Sequence, residues 1–271
     1  MSLMYKIFTS LSLFSVLLVC SCAKEEPPAE PTASFGFSAL NSDLRAPSEI
    51  TFTPYDEMEG ATFIWDFGDG STTTEKTPKK VFTTGGLKSI KLTVLFNGKS
   101  VSDSKTLTVD PPYTKLAITK STILTAATAF SDGTGWDLGT NATNWWTSGG
   151  PDVYLIGRYE NVNSDAYYTA IKQNVAASAL VNGSTFWDHS SGFTISTNVQ
   201  AAGKLFIQLR DADENANLYS SSYESMGTVV LNPTDYINIS NKYPSSIELK
   251  GNGTNYSNAA LKMKFDLKWS N

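Results

Sequence analysis

Phe63-Ile64-Trp65-Asp66-Phe67-Gly68-Asp69-Gly70-Ser71 is the stretch that decides the fold. Phe63, Trp65 and Phe67 recur at every second residue, so a pleated strand puts all three rings on one face. Gly68 and Gly70 permit positive φ. Asp66 and Asp69 carry short carboxylates that can accept from nearby backbone amides. Together they predict a tight turn closing a hairpin, with the two acids pinning the turn rather than serving as metal ligands or catalytic acids. Further along, Ile90-Lys91-Leu92-Thr93-Val94 and Thr106-Leu107-Thr108-Val109 alternate apolar and polar residues in the same way. Sheets built from such strands bury one face and wet the other.

The turn motif, with Pro78, Phe82, Gly85-Gly86 and a strand from Lys88 to Leu95, resembles the polycystic kidney disease (PKD) domain. It departs from that family at Lys79-Lys80-Val81 and at Leu87. The resemblance implies an immunoglobulin-like β-sandwich over residues 32–111, used in that family as a spacer or interaction module on extracellular proteins.

Asp110-Pro111-Pro112 closes this first unit, because proline cannot extend a ladder and stiffens a linker. Residues 112–271 again read as β. Candidate strands are Leu116-Ala117-Ile118, Val153–Tyr159, Leu205–Leu209, Thr228–Leu231, Ser246–Leu249 and Leu261–Trp269. In the last, Leu261, Met263, Phe265, Leu267 and Trp269 share one face, and Lys262, Lys264, Asp266 and Lys268 the other. That is a long, half-buried strand, whose removal should unfold the domain. The fold class is therefore all-β, with two consecutive β-sandwiches.

Acidic residues gather at the strand ends of the second unit: Asp132 and Asp137 in one loop, Asp152 opening a strand, and Asp211 with Asp213 closing another. Carboxylates crowded at one sandwich edge repel unless a cation sits among them. Calcium suits such a site, since it takes six to eight oxygen ligands with loose geometry. The order of these acids resembles the C-two domain, a calcium-dependent lipid-binding β-sandwich. The resemblance implies Asp132 or Asp137 as the first-loop ligand, Asp152 in Asp152-Val153-Tyr154, Asp211-Ala212-Asp213, and Glu224 as the last acid. The stretch between Asp137 and Asp152 is longer than in that family and holds Trp145-Trp146. Two tryptophans in a polar, glycine-rich loop can form a platform for sugars or membrane interfaces, or fold back onto the core. Trp136 and Trp187 read as core.

At the other end, Lys6 precedes an uncharged apolar run from Ile7 to Val19, too short to span a bilayer as a stable helix. Val19-Cys20-Ser21-Cys22 resembles the lipobox of bacterial lipoproteins, which implies a signal peptide over residues 1–21 and acylation of Cys22, with palmitate among the chains. Ala23-Lys24-Glu25-Glu26 and Pro27, Pro28 and Pro31 make residues 22–31 an acidic tether. This resembles the export signal of Bacteroidetes surface lipoproteins and implies the outer membrane, facing outward.

Composition removes several function classes. The chain of 271 residues has 21 basic and 26 acidic side chains, a formal charge of −5. Loss of the signal removes only Lys6, leaving −6. Nucleic-acid binding needs a basic stripe, so no nucleic-acid partner is expected. The two cysteines are Cys20 and Cys22, which leaves the mature chain without a disulfide, and the single histidine excludes a zinc site of the usual ligands. His189 lies in Trp187-Asp188-His189-Ser190-Ser191, read as a polar turn, and no nucleophile–base arrangement surrounds it. The sequence thus points to a non-catalytic, lipid-anchored surface protein that displays a calcium-ordered edge to glycan, protein or lipid. The alternative is a carbohydrate-capture lipoprotein of a polysaccharide-uptake system, binding through Trp145-Trp146.

Overall fold

The computed structural model describes residues 30–271, apart from 130, 132, 134–135, 137–149, 161–166, 197–198, 200–202 and 213–222. The first seven strands are β1 (Phe35–Ala39), β2 (Ser48–Pro54), β3 (Thr62–Asp66), β4 (Thr72–Thr73), β5 (Lys79–Phe82), β6 (Gly86–Phe96) and β7 (Lys99–Val109). They form a three-stranded sheet, β1-β2-β5, facing a four-stranded sheet, β4-β3-β6-β7. All the paired strands are antiparallel.

Period-two patterning explains the core between them. Phe63, Trp65 and Phe67 are all buried, as are Ile90, Leu92, Val94, Leu107 and Val109. The Trp65 ring meets Phe35 edge-on at 5.1 Å and Phe52 at 5.8 Å, so it joins the two sheets. Its indole N–H donates to the Glu75 carbonyl at 3.0 Å, which removes the cost of burying that polar tip. The hairpin turn after β3 is held as the sequence predicts. Asp66 accepts from the Gly68 amide at 2.9 Å and Asp69 from the Ser71 amide at 3.0 Å, while Gly68 and Gly70 both adopt positive φ. Lys80 bonds Asp69 at 2.7 Å, and with Ser71 it holds that carboxyl well below the ordinary range.

The second sandwich contains β8 (Lys115–Thr125), β9 (Val153–Tyr159), β10 (Tyr167–Tyr168), β11 (Phe186–Ser196), β12 (Leu205–Ala212), β13 (Tyr223–Leu231), β14 (Ile237–Asn238), β15 (Asn241–Lys242), β16 (Ser246–Lys250) and β17 (Lys262–Ser270). One sheet runs β10-β9-β12-β13, the other β11-β8-β17-β16, and β14-β15 is a separate two-stranded ribbon. A five-residue helix, α1 (Tyr256–Ala260), leads into β17. Ile118, Ile123, Met263 and Phe265 of one sheet and Leu155, Ile207, Leu209 and Val229 of the other belong to one fully buried cluster. Trp136 and Trp187 are buried as expected, with indole donors on the Ala127 and Ala170 carbonyls.

β11 and β8 both depart from the sequence reading. Residues 187–191 belong to β11, not to a turn. Its pairing with β8 passes from Asp188↔Lys120 to Phe193↔Ile118, so four residues on β11 oppose Thr119 alone. The strand beginning at Leu116 also runs past Ile118 to Thr125, through a bulge at the same Thr119. The bulge shifts the phase, so that Ser121 and Ile123 face inward after Leu116 and Ile118.

Topology gives the second sandwich two distinct ends. Near the first sandwich, the Thr114 amide donates to Ser270 and its carbonyl accepts from Val199. β12 starts at this end with Leu205, and its register, Leu205↔Tyr159 to Asp211↔Val153, carries it to the opposite end. β8 makes the same journey in 11 residues, about 35 Å of strand. The chain leaves β8 at Thr125 and re-enters β9 at Val153, both at the far end.

Candidate functional site at the far edge of the second sandwich

Asp152, Asp211 and Glu224 come together at this far end. Asp211 pairs directly with Val153 on one side and with Glu224 on the other. Asp211 does not follow its strand, as its position after Leu209 had suggested, but lies within β12 and is fully buried. Val153 and Leu155 face the core, while Tyr154 and Ile156 pack with Ala212, Tyr168 and Ile171 on the outer side. The pairing with Val153 therefore places Asp211 on the inward side, at the mouth between the sheets.

Hydrogen bonds fix this corner. Asp211 Oδ1 accepts from the Asp152 amide at 2.8 Å, and the Asp152 carbonyl accepts from Ala212 at 2.9 Å. Asp152 Oδ1 accepts from the Asn174 amide at 2.7 Å. Beside it, Lys172 exchanges both backbone bonds with Val153, and Val175 donates to Pro151, so residues 172–175 form an ordered lip along the start of β9.

Burying a carboxylate is costly unless hydrogen bonds or a cation offset the lost water. Placing a second acid, Glu224, directly across the ladder adds like-charge repulsion. Of the six acids read as ligands, the structure brings these three to one corner, while Asp132, Asp137 and Asp213 lie outside the described residues. Among the described residues, no three carboxylate, thiol or imidazole side chains converge closely enough to hold a metal ion. Trp145, Trp146 and Cys22 also lie outside the described residues.

The sequence reading missed a polar cluster between the sheets. His189 Nε2 lies 3.0 Å from the Ser121 hydroxyl and 3.4 Å from the Tyr167 hydroxyl, and the Tyr167 ring meets the imidazole edge-on at 5.6 Å. Burial pushes the Tyr167 hydroxyl up to about 12 and lowers His189 below its ordinary 6.5, the latter against the pull of Asp188. The inward alternation of Thr185, Trp187 and His189 was the available signal. Ser121 is fully buried and meets no solvent, and Asp188 is exposed on the opposite side of its strand from Trp187. The Ser–His contact thus joins neighbouring strands of one sheet, Tyr167 links it to the other sheet, and among the described residues no acid is hydrogen-bonded to the imidazole as a triad requires.

The PKD domain family matches residues 28–110. The first sandwich is PKD-like. The PKD1 domain of Vibrio anguillarum Epp is 25% identical, over 31% of this chain and 100% of that one, at a TM-score of 0.25. The PKD1 domain from the Vibrio cholerae metalloprotease PrtV is 28% identical, over 28% of this chain and 94% of that one, at 0.23. A structure of carbohydrate-binding modules from the β-sandwich superfamily, described for promiscuous specificity, is 14% identical over 89% of this chain and 92% of that one, at 0.27. No curated protein matches the chain. The all-β sandwich fold rests on the strand pairing itself.

Proposed function

We propose that the protein is a non-catalytic, lipid-anchored binding protein of the outer membrane, displayed outward, whose ligand-facing surface is the far edge of the second sandwich. The PKD-like first sandwich suits a spacer. The observation that carries the reading is the corner at Asp152, Asp211 and Glu224: a buried carboxylate faces a second acid across the ladder, at the end of the second sandwich opposite its joint with the first. Calcium is the cation we assign there, with Asp132 or Asp137 and Asp213 completing the set as in the C-two domains that the order of acids resembles. Acylation at Cys22 is supported by the apolar run that ends at the only two thiols.

A second reading shares this edge. The segment holding Trp145-Trp146 connects Thr125 to Val153, the two residues where the chain leaves and re-enters the far end, so a sugar platform there would make the protein a carbohydrate-capture lipoprotein. A glycan array and anionic phospholipid vesicles, each probed with and without calcium, separate the readings. Glycan binding lost in a Trp145→Ala, Trp146→Ala variant supports capture, and vesicle binding only with calcium supports the C-two-like role. Glycan and vesicle binding both unchanged by calcium and by the tryptophan substitutions would place the binding surface elsewhere.

A further inference from the structure

Two domains joined by a proline linker ordinarily move relative to one another unless a substantial interface holds them. Here the linker has little free length. The Asp110 amide donates to the Leu44 carbonyl at 3.0 Å, and the Asp110 carbonyl accepts from Ala46 at 2.9 Å. Four residues later, Thr114 is already bonded to Ser270 of the second sandwich at 3.0 Å. Between them, a Cβ on Gly85 would stand 2.6 Å from the Pro111 backbone, so the linker lies directly against a loop of the first sandwich.

The β14-β15 ribbon then grips that sandwich. Lys242, at its end, pairs with Asp43 at 2.8 Å and donates to the Arg45 carbonyl. The lysine side chain is only 14% exposed and the aspartate 46%, so the pair sits half-buried, with the cation on the covered side. The Tyr243 hydroxyl donates to the Ala46 carbonyl at 2.6 Å. Arg45 reaches the other way: its guanidinium lies 4.1 Å from the centre of the Tyr113 ring and donates to the Pro111 carbonyl at 2.5 Å. Tyr113 stacks edge-on against Tyr243 at 5.0 Å, and Tyr243 against Trp269 at 5.2 Å, where the indole N–H is held by the Pro244 carbonyl. The contacts run without a break from the 43–46 loop of one sandwich into the last strand of the other.

We infer that the two sandwiches form one rigid body, locked at this joint by Lys242 and Tyr243, so that the far edge is held at a fixed distance and orientation from the first sandwich. The lock is independent of what the edge binds. Residual dipolar couplings on the full-length protein test it. One alignment tensor must fit the amides of both sandwiches in the wild type, and a Lys242→Ala, Tyr243→Ala variant must need two. Separate tensors in the wild type would overturn the inference, whether or not the variant folds. A folded variant that still fits one tensor would overturn the role of these two side chains. Arg45→Ala, which leaves the ribbon intact, is expected to give an intermediate divergence, and no divergence would remove Arg45 from the lock.

Discussion

His189 Nε2 bonds the Ser121 hydroxyl, and burial depresses the proton affinity of the imidazole. Below about pH 6.5, the unfolded chain therefore binds a proton that the folded chain does not, and stability falls as pH is lowered through that window. Replacing His189 with Gln keeps a partner for Ser121 and removes the titration. Urea midpoints at pH 7.5 and pH 5.0 should differ by less in His189→Gln than in the wild type, and equal differences would show that the imidazole is not what titrates. This residue also marks where sequence reading stops. Its pattern, Trp187-Asp188-His189-Ser190-Ser191, is polar enough to pass for a turn, and its inward placement depends on an opposing strand some 70 positions away. By contrast, the roles of Asp66 and Asp69 were legible because the amides they bind lie two residues off. Local hydrogen bonds can be read from local sequence, and those between strands distant in the chain cannot.

At the scale of elements, unbroken apolar runs and clean alternations proved reliable. β9 spans Val153–Tyr159, the stretch the pattern indicated, and β17 buries Met263, Phe265 and Leu267 while leaving its lysines outward. Strands containing bulges were cut short. Alternation fails at Thr119 in β8 because an extra residue shifts the phase, so a reader counting by twos stops at Ile118. β12 was likewise ended at Leu209, where a register irregularity falls between Leu209 and Arg210. β17 lies at the centre of its sheet, between β8 and β16, and supplies several of the most buried side chains. A chain ending at residue 260 loses that strand and leaves two edges unpaired. It should lose the near-ultraviolet circular dichroism of the second sandwich and its cooperative melting. A soluble truncated protein with an intact melting transition would contradict this.

Over the whole molecule, the two-sandwich architecture was legible from sequence because each core is patterned strand by strand. The joint was not, since Lys242 and Arg45 are nearly two hundred residues apart and neither carries a motif. The acidic edge falls between these cases. The order of the acids marked it, but the sequence placed Asp211 in a loop, and the structure buries it in a strand against Glu224. Calcium binding at that edge is the central functional claim, and the melting temperature of the full-length protein in calcium tests it most directly. Extracellular calcium sites bind at about 0.1–1 mM. At 10 mM calcium that affinity stabilises the folded state by about 1.4–2.7 kcal/mol, a rise of several degrees for a protein of this size. The account predicts that rise in the wild type and its loss in an Asp211→Asn, Asp213→Asn variant, each compared with its own metal-free melt. A wild-type melting temperature unmoved by 10 mM calcium, or an equal rise in the variant, would contradict it.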